Sequence, residues 1–317
     1  MSEPCDLCGG ARFAPYVPRM YALAGAAYDL VRCWSCSLVQ VRPLPDAAAV
    51  RSMYGDDYFE KDYDSCLSEA SYFDSFPRLM KRYGALLDAI EALSPRGELF
   101  EVGCAGGYFL DLARRRGWRV RGLEITAAGT HHARDVLGLD VAQGSFPPPD
   151  ASAAPADVVY MGHVLEHLRS PAAGIEATAK LVRPGGLLVV EVPTYVDSPY
   201  FRALRRLLPA LRALGRDGGG LLRVLKFPAP GETMEPFHLY EFRRRTLTRL
   251  LERFGYRVLR TESRVPKPDR LAHASAPLER ALALGFDALD AAALRLRLPG
   301  GNIAAFARRP AVDRPAP

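Results

Sequence analysis

Two pairs of cysteines stand near the start of the chain, Cys5-Asp6-Leu7-Cys8 and Cys33-Trp34-Ser35-Cys36, with 24 residues between them. Matched C-x2-C pairs let four thiolates converge on one tetrahedral Zn2+, and a site closed by four sulfurs leaves no position open for chemistry. A structural zinc held by Cys5, Cys8, Cys33 and Cys36 is therefore expected. Gly9 and Gly10 follow the first pair where the chain must turn, and residues 27–32 read as a short strand leading into the second. No basic stretch followed by an apolar run opens the sequence, and eighteen apolar residues never occur in succession. This points to a cytoplasmic protein without a membrane span, in which close cysteine pairs meet metal rather than each other.

Residues 99–113, LFEVGCAGGYFLDLA, begin as an apolar strand, bend at Gly103, Gly106 and Gly107, and continue as a helix that buries Phe109, Leu110 and Leu112. Glycine lets a backbone approach a ligand closely, and the N–H groups of a helix's first turn suit a carboxylate or phosphate. A second strand over 119–123 ends at Glu124, 21 positions after Gly103, where a carboxylate can accept from both ribose hydroxyls of an adenosine. The unit is predicted to bind an adenosine-containing cofactor. Ala105 and Tyr108 occupy places where the dinucleotide fingerprint needs glycine, which disfavours nicotinamide.

Histidine has the ordinary pKa best suited to a general base near neutral pH. His163 and His167 lie in Gly162-His163-Val164-Leu165-Glu166-His167-Leu168, directly after an apolar strand over 156–161. That is the open end of a parallel sheet, where ligands and substrates collect. His238 lies in Phe237-His238-Leu239-Tyr240-Glu241-Phe242, while His131 and His132 sit in a polar helix and read as surface residues.

The elements that must carry these groups follow from periodicity and turn signals. After the strand over 156–161 come a helix over 171–182, a turn at Arg183-Pro184-Gly185-Gly186, a strand over 187–192, a helix near 246–254 closed by Gly255, and a strand from Tyr256. The 317 residues, 49% of them hydrophobic, suffice for one α/β domain with a small accessory module. The net charge of +6 permits an anionic substrate. Arg202, Arg205, Arg206, Arg212 and Arg216 read as a basic helical lid running to Gly218-Gly219-Gly220, able to grip the phosphate of a nucleotide-linked or phosphorylated small molecule.

Glu101-Val102-Gly103-Cys104-Ala105-Gly106-Gly107 resembles the acidic-x-G-x-G/A-x-G motif of class I S-adenosylmethionine-dependent methyltransferases. The likeness continues through Val164-Leu165-Glu166-His167-Leu168, similar to the segment after the fourth strand in that family, and through residues 300–308, similar to its closing antiparallel strand. The resemblance implies a doubly wound α/β, seven-stranded Rossmann-like sheet over 96–310. Ahead of it come a zinc ribbon over 1–42 and a helical connector over 43–95; within it fall the basic lid over 193–240 and a helical insertion over 266–299. It places S-adenosylmethionine against Tyr58, Glu101, Gly103, Cys104, Ala105, Gly107, Phe109, Glu124, Ile125, Gly144, Ser145 and His163, with Glu101 on the methionine amino group and residues 142–146 near the adenine. His163, Glu166, His167 and His238 become the catalytic candidates.

Glu166, His167 and His238 also resemble the cation site of small-RNA terminal ribose methyltransferases, with His163 where that family has a further carboxylate, so Mg2+ is admitted as a second ion. Cys33-x2-Cys36, then residues 38–43, Tyr54 and Tyr58, are similar to methyltransferases with a zinc-binding leader, many of which act on sugars or secondary metabolites. Sugar C-methyltransferases of this kind carry a further C-terminal domain, so O-methylation is expected. A nucleic-acid acceptor is disfavoured: no Asn/Asp-Pro-Pro-aromatic motif follows the fourth strand, where Tyr160-Met161-Gly162-His163 stands, and no cysteine beside proline is placed there. Ribose methylation stays open through the cation-site likeness. A scaffold without activity would have no need of Glu101, Gly103, Gly107 and Glu124.

Overall fold

The computed structural model describes residues 3–23, 26–52, 76–148, 154–194, 206, 238–264, 277–296 and 301–311. Its strands are β1 (Phe13–Leu23), β2 (Ala26–Cys33), β3 (Val39–Arg42), β4 (Glu98–Val102), β5 (Arg119–Glu124), β6 (Val141–Gln143), β7 (Ala156–Gly162), β8 (Val182–Pro193), β9 (Tyr240–Glu241), β10 (Arg257–Arg264) and β11 (Asn302–Arg308). Its α-helices are α1 (Ala47–Ser52), α2 (Phe76–Glu91), α3 (Tyr108–Arg115), α4 (Ala127–His131), α5 (Pro171–Leu181), α6 (Arg244–Arg253) and α7 (Pro277–Leu296). None of them is long and apolar enough to cross a membrane.

Residues 156–161 and 187–192 are apolar at almost every position, as strands covered on both faces must be. They pair in parallel within a seven-stranded sheet of order β10-β11-β8-β7-β4-β5-β6, in which β11 runs antiparallel to both β8 and β10. Side chains alternate along β8: Leu187 and Val189 pack with α2 and α3, while Leu188, Val190 and Val192 pack with α5 and α6. Amphipathic helices supply the other half of each core, as in α6, where Leu247, Leu250 and Leu251 are buried and the arginines face outward. The turn expected at 183–186 proves to be a bulge inside β8. Val182 already pairs with Ala156, Leu187 with Val158, and Arg309 fastens the loop by donating to Val182 O. Tyr58, together with Tyr54 and, apart from Arg206, residues 195–237 of the lid expected over 193–240, lies outside the described residues; α7 accounts for 277–296 of the insertion expected over 266–299.

The cysteine-bearing leader forms a second sheet of order β1-β2-β3-β9, so its last strand comes from the segment after β8. Cys5, Leu7, Cys33, Cys36 and Leu38 belong to the same apolar core as Val190, Ile175 and Leu250. Asp6, inside the first cysteine pair, reaches the start of α5: its Oδ1 accepts from Ser170 Oγ at 2.7 Å and its Oδ2 from Ala172 N at 2.7 Å. Arg253 of α6 donates to the carbonyls of Asp6 and Leu7 at 2.9 and 2.8 Å. An anionic side chain at a helix N-terminus satisfies orphan N–H groups and complements the helix dipole. Asp6→Ala should therefore lower the unfolding free energy by about 1–3 kcal/mol, read from the urea midpoint; an unchanged midpoint would show that the leader and α5 are energetically independent.

Candidate active site

Strand β4 breaks at Gly103, which has φ +70° and whose Cβ, were one added, would lie 2.4 Å from Val164 Cγ2. The turn continues through Ala105, also at positive φ (+48°), to α3, whose N-cap, Gly107, offers no side-chain cap. The N–H groups of its first turn are thereby left to an anion such as a carboxylate. Glu101 is 4% exposed, and its Oε2 accepts no hydrogen bond among the described residues. Burial, and after it the charge of Glu124, hold its carboxyl well above the usual range. A buried acid in that state beside a glycine turn fits an ammonium group, such as the amino group of S-adenosylmethionine.

Glu124 ends β5 with its Oε2 accepting from Ala105 N at 2.8 Å and its Oε1 from Thr126 N and Oγ1 at 2.8 and 2.7 Å. Three of roughly four acceptor positions are thus taken by Ala105 of the glycine turn and by Thr126. Half-buried Ile125 follows, and Gly144 donates its N–H to Glu124 O at 2.8 Å, bringing exposed Ser145 to the same sheet edge. Cys104 and Phe109 are placed differently. Cys104 is 3% exposed and part of the α2/α3 core, and the Phe109 ring packs against those of Tyr83 and Tyr160 at centroid distances of 5.4 and 4.5 Å. Those side chains face the core, which leaves only their backbone on the side of the turn expected to meet a cofactor. His132, read from sequence as a surface residue, is half-buried instead: its Nδ1 lies 2.7 Å from Gly106 O, tying α4 and its extension to the glycine turn. His131 is exposed and meets Asp135.

The sheet's other functional edge is crowded with charge. His163 follows β7 at φ +56°, its N–H donating to Glu191 O at 2.8 Å. Its Nδ1 lies 3.4 Å from Glu166 Oε1, and its Nε2 lies 2.8 Å from an Arg82 Nη, which also meets Glu191 Oε1 at 2.8 Å. Arginine only donates, so Nε2 is the acceptor and the ring proton sits on Nδ1, toward Glu166. Tyr160 donates to Glu191 Oε2 at 3.1 Å, a contact that requires Gly162: a Cβ there would fall 2.2 Å from the Tyr160 hydroxyl. Glu166 has no exposed surface and accepts no close hydrogen bond among the described residues. Burial pushes its carboxyl up, but His163, His167 and His238 together outweigh that and hold it at about 2. Arg82 and His163 likewise hold Glu191 below the usual range against its burial.

His167 Nε2 lies 3.8 Å from Glu166 Oε1, the His167 and His238 rings meet edge to face at 5.1 Å, and His238 Nδ1 is 3.4 Å from Glu241 Oε1. Ligand atoms of Glu166, His167 and His238 all fall within 4.8 Å of one another. One carboxylate and two imidazoles do not suit Mg2+, which takes oxygen ligands and keeps several waters, so the expectation of Mg2+ is not carried further. In the leader, Cys5 and Cys36 sulfurs are 3.6 Å apart, as are those of Cys8 and Cys33, and all four lie within 4.8 Å. That is far beyond a disulfide and close to the edge, about 3.8 Å, of a tetrahedron with zinc–sulfur bonds of about 2.3 Å. Cys36 hydrogen-bonds to Cys5 and holds it at about 5, while the same contact pushes Cys36 up; the pair shares a proton where a cation fits.

Arg82, Tyr160, Glu191 and Glu241 were not singled out from sequence. Glu191 and Glu241 did carry a signal, since each is a lone acid in an apolar run, and a buried acid in a strand must be paired. Arg82 carried none, because its partners lie 81 and 109 positions away. For Glu101 the sign of its pH effect is fixed. A folded-state pKa above the unfolded value means that the native state binds the extra proton, so ionisation costs stability as pH rises past the usual carboxylate range. Glu101→Gln should raise the melting temperature of the ligand-free protein at pH 7 by about 2 °C or more, while weakening S-adenosylhomocysteine binding about tenfold in calorimetry. Loss of both together, or of neither, would remove Glu101 from the cofactor site.

A family model described as a methyltransferase domain matches residues 76–261. A probable S-adenosylmethionine-dependent methyltransferase of Mycolicibacterium smegmatis is 29% identical over 165 residues, 51% of this chain and 52% of that protein. A ubiquinone biosynthesis O-methyltransferase of Caulobacter vibrioides is 32% identical over 161 residues, 47% of this chain and 55% of that protein. The chain thus spans about half the length of the curated relatives it matches. Magnesium protoporphyrin IX methyltransferase from Synechocystis PCC 6803, solved with bound S-adenosylhomocysteine, aligns with a TM-score of 0.51 at 16% identity, over 83% of this chain and 100% of that one, and so shares the fold. With the family model matching more than half its length and the seven-stranded sheet in the order described, the chain belongs to the class I S-adenosylmethionine-dependent methyltransferases.

Proposed function

We propose that the chain methylates a hydroxyl oxygen of a small acceptor, a sugar, glycan or secondary metabolite, with His163 as general base. The observation that carries this reading is the imidazole of His163 set between two buried carboxylates, Glu166 and Glu191, at the open end of β7. Relatives named as ubiquinone biosynthesis O-methyltransferases support oxygen as the acceptor atom. Glu101, the Gly103 turn, the first turn of α3 and Glu124 would hold S-adenosylmethionine, which supplies a methyl group on a sulfonium that leaves as a neutral thioether. The chain has to orient a nucleophile and take its proton.

Of the three clustered imidazoles His163 is the most exposed, its side chain 35% accessible against 13% and 11% for His167 and His238. An acceptor hydroxyl would take the place of Arg82 on Nε2, and Arg82 would stay with Glu191. The hydroxyl proton then moves to Nε2 as the oxygen lone pair attacks, and Glu166 and Glu191 stabilise the resulting imidazolium. Glu166 also fixes the ring through Nδ1, His167 and His238 keep Glu166 ionised, and Glu241 backs His238. The four leader cysteines hold a structural Zn2+ that takes no part in transfer.

Methyl transfer from labelled S-adenosylmethionine to a panel of nucleotide sugars, glycans and hydroxylated metabolites provides the assay. With the acceptor so found, His163→Asn should lower kcat about 10²- to 10⁴-fold and leave S-adenosylhomocysteine affinity unchanged. Added Mg2+ or a magnesium chelator should leave the rate alone. A His163→Asn variant with undiminished kcat would remove the base assignment, and a rate that needs Mg2+ would restore the cation at Glu166.

A further inference from the structure

The C-terminal end of β8 borders a cavity of about 720 Å³ that the foregoing mechanism does not use. Arg243, Arg244, Arg245 and Arg249 line it, and Glu252 is the one carboxylate among its described lining residues. Arg245 and Arg249 make no ion pair among the described residues, and Arg244 donates to Ser263 Oγ at 2.9 Å on the cavity wall. The first turn of α6 has no acidic residue, and its N-cap, Arg243, carries a side chain that cannot accept a hydrogen bond, so the positive end of the helix dipole faces an already cationic wall. Three of the four guanidinium groups, those of Arg243, Arg244 and Arg245, stand at the N-terminus of α6, where like charges and the helix dipole work against them, and Arg249 joins them from the next turn.

Thr194 gives an independent sign of a ligand. It is 1% exposed, lines the same cavity, and its Oγ1 has no hydrogen-bond partner among the described residues, although its N–H is satisfied by Gly301 O at 2.7 Å. A buried hydroxyl left in that state costs free energy unless a ligand meets it. Thr194 shares the α5/α6 face of β8 with Val190 and Val192, whereas Glu191 points to the α2 face. The cavity and the Glu191–His163 network therefore flank one strand end from opposite faces, with Thr194 three positions, about 10 Å of strand, beyond Glu191.

We propose that this cavity binds the phosphate or diphosphate group of the acceptor, which makes the acceptor a phosphorylated small molecule; its role as an acceptor subsite rests on the methyltransferase reading above. Guanidinium forks, a threonine hydroxyl and helix N–H groups all match phosphoryl oxygens, and three net positive charges match a diphosphate better than a lone carboxylate. A basic patch confined to one pocket favours a compact anion over a polynucleotide, whose phosphates call for an extended basic stripe. The spacing of about 10 Å along the strand from Glu191 to Thr194 is of the order of one sugar-sized group.

Calorimetric titration of inorganic pyrophosphate into the full chain, in buffer free of phosphate and sulfate, tests the site, with S-adenosylhomocysteine titrated in parallel. Pyrophosphate should bind the wild type, and Arg245→Ala/Arg249→Ala should weaken it about tenfold or more. Thr194→Val, which changes no charge, should also weaken it, whereas Arg257→Ala, at an exposed arginine outside the cavity, should not. Equal pyrophosphate affinity in the wild type and the double variant would overturn the proposal, as would equal losses in the double variant and Arg257→Ala. A short single-stranded RNA that binds about a hundredfold more tightly than pyrophosphate and is lost in the same double variant would overturn it in favour of a nucleic acid. Pyrophosphate binding that follows the cavity in a chain that fails to bind S-adenosylhomocysteine would sink the methyltransferase reading and leave the anion site standing.

Discussion

Glu166 is a carboxylate with no exposed surface, held at about 2 by three imidazoles. An ionised acid removed from water must be surrounded by compensating groups or give up its charge. The compensation here comes from separate stretches of chain. His163 and His167 flank Glu166 in sequence, whereas His238 arrives from beyond β8, bringing Glu241 with it. The backbone is committed as well, since Leu239 N donates to Glu166 O at 2.9 Å. Once that contact forms, Tyr240 and Glu241 are delivered to the edge of β3, and the leader sheet closes against the segment that carries His238. The buried charge thus couples the end of β7, the returning segment and the leader into one unit.

The cysteine quartet belongs to that unit. Its side chains share a core with the strands and helices behind the candidate site, and Asp6 caps the helix that begins four residues after His167. A metal held by the four thiolates would order the loop that presents Asp6, and through α5 the segment containing Glu166. Distance from the reacting atoms therefore does not make the leader a detachable accessory. Its influence passes through two hydrogen bonds at a helix N-terminus and two more from Arg253. Loss of such a metal would loosen the Glu166 segment before it unfolded the sheet.

Much of the fold was legible because it rests on local rules. Apolar runs gave β7 and β8, glycines marked the β4–α3 turn, and the closing strand was expected from the likeness of residues 300–308 to that of the methyltransferase family. The matched cysteine spacing foretold four sulfurs that the fold does bring together. Side-chain direction was less legible. The helical spacing did put Phe109 on the buried side, but Cys104 occupies a motif position yet faces the core, and His132 turns inward onto Gly106 O, because packing against α2 and the glycine turn decides orientation there. Arg82 was hidden for a different reason: its partners are brought near only when α2 docks on the sheet. Glu191 was visible as an anomaly, a charge within an apolar strand, although its pairing with Arg82 and Tyr160 needed the tertiary structure.

Two carboxylates, Glu166 and Glu191, face His163, and against their burial both are held below the usual range: Glu166 by His163, His167 and His238, Glu191 by Arg82 and His163. Ionised acids removed from water persist only where such partners surround them, so the place of the carboxylates also fixes the place of the imidazole between them. His163 is held in this position at φ +56°, a conformation that costs a non-glycine residue free energy and persists only where the surroundings enforce it. Its N–H on Glu191 O provides that enforcement, tying the strained backbone to the strand whose Glu191 side chain faces the ring.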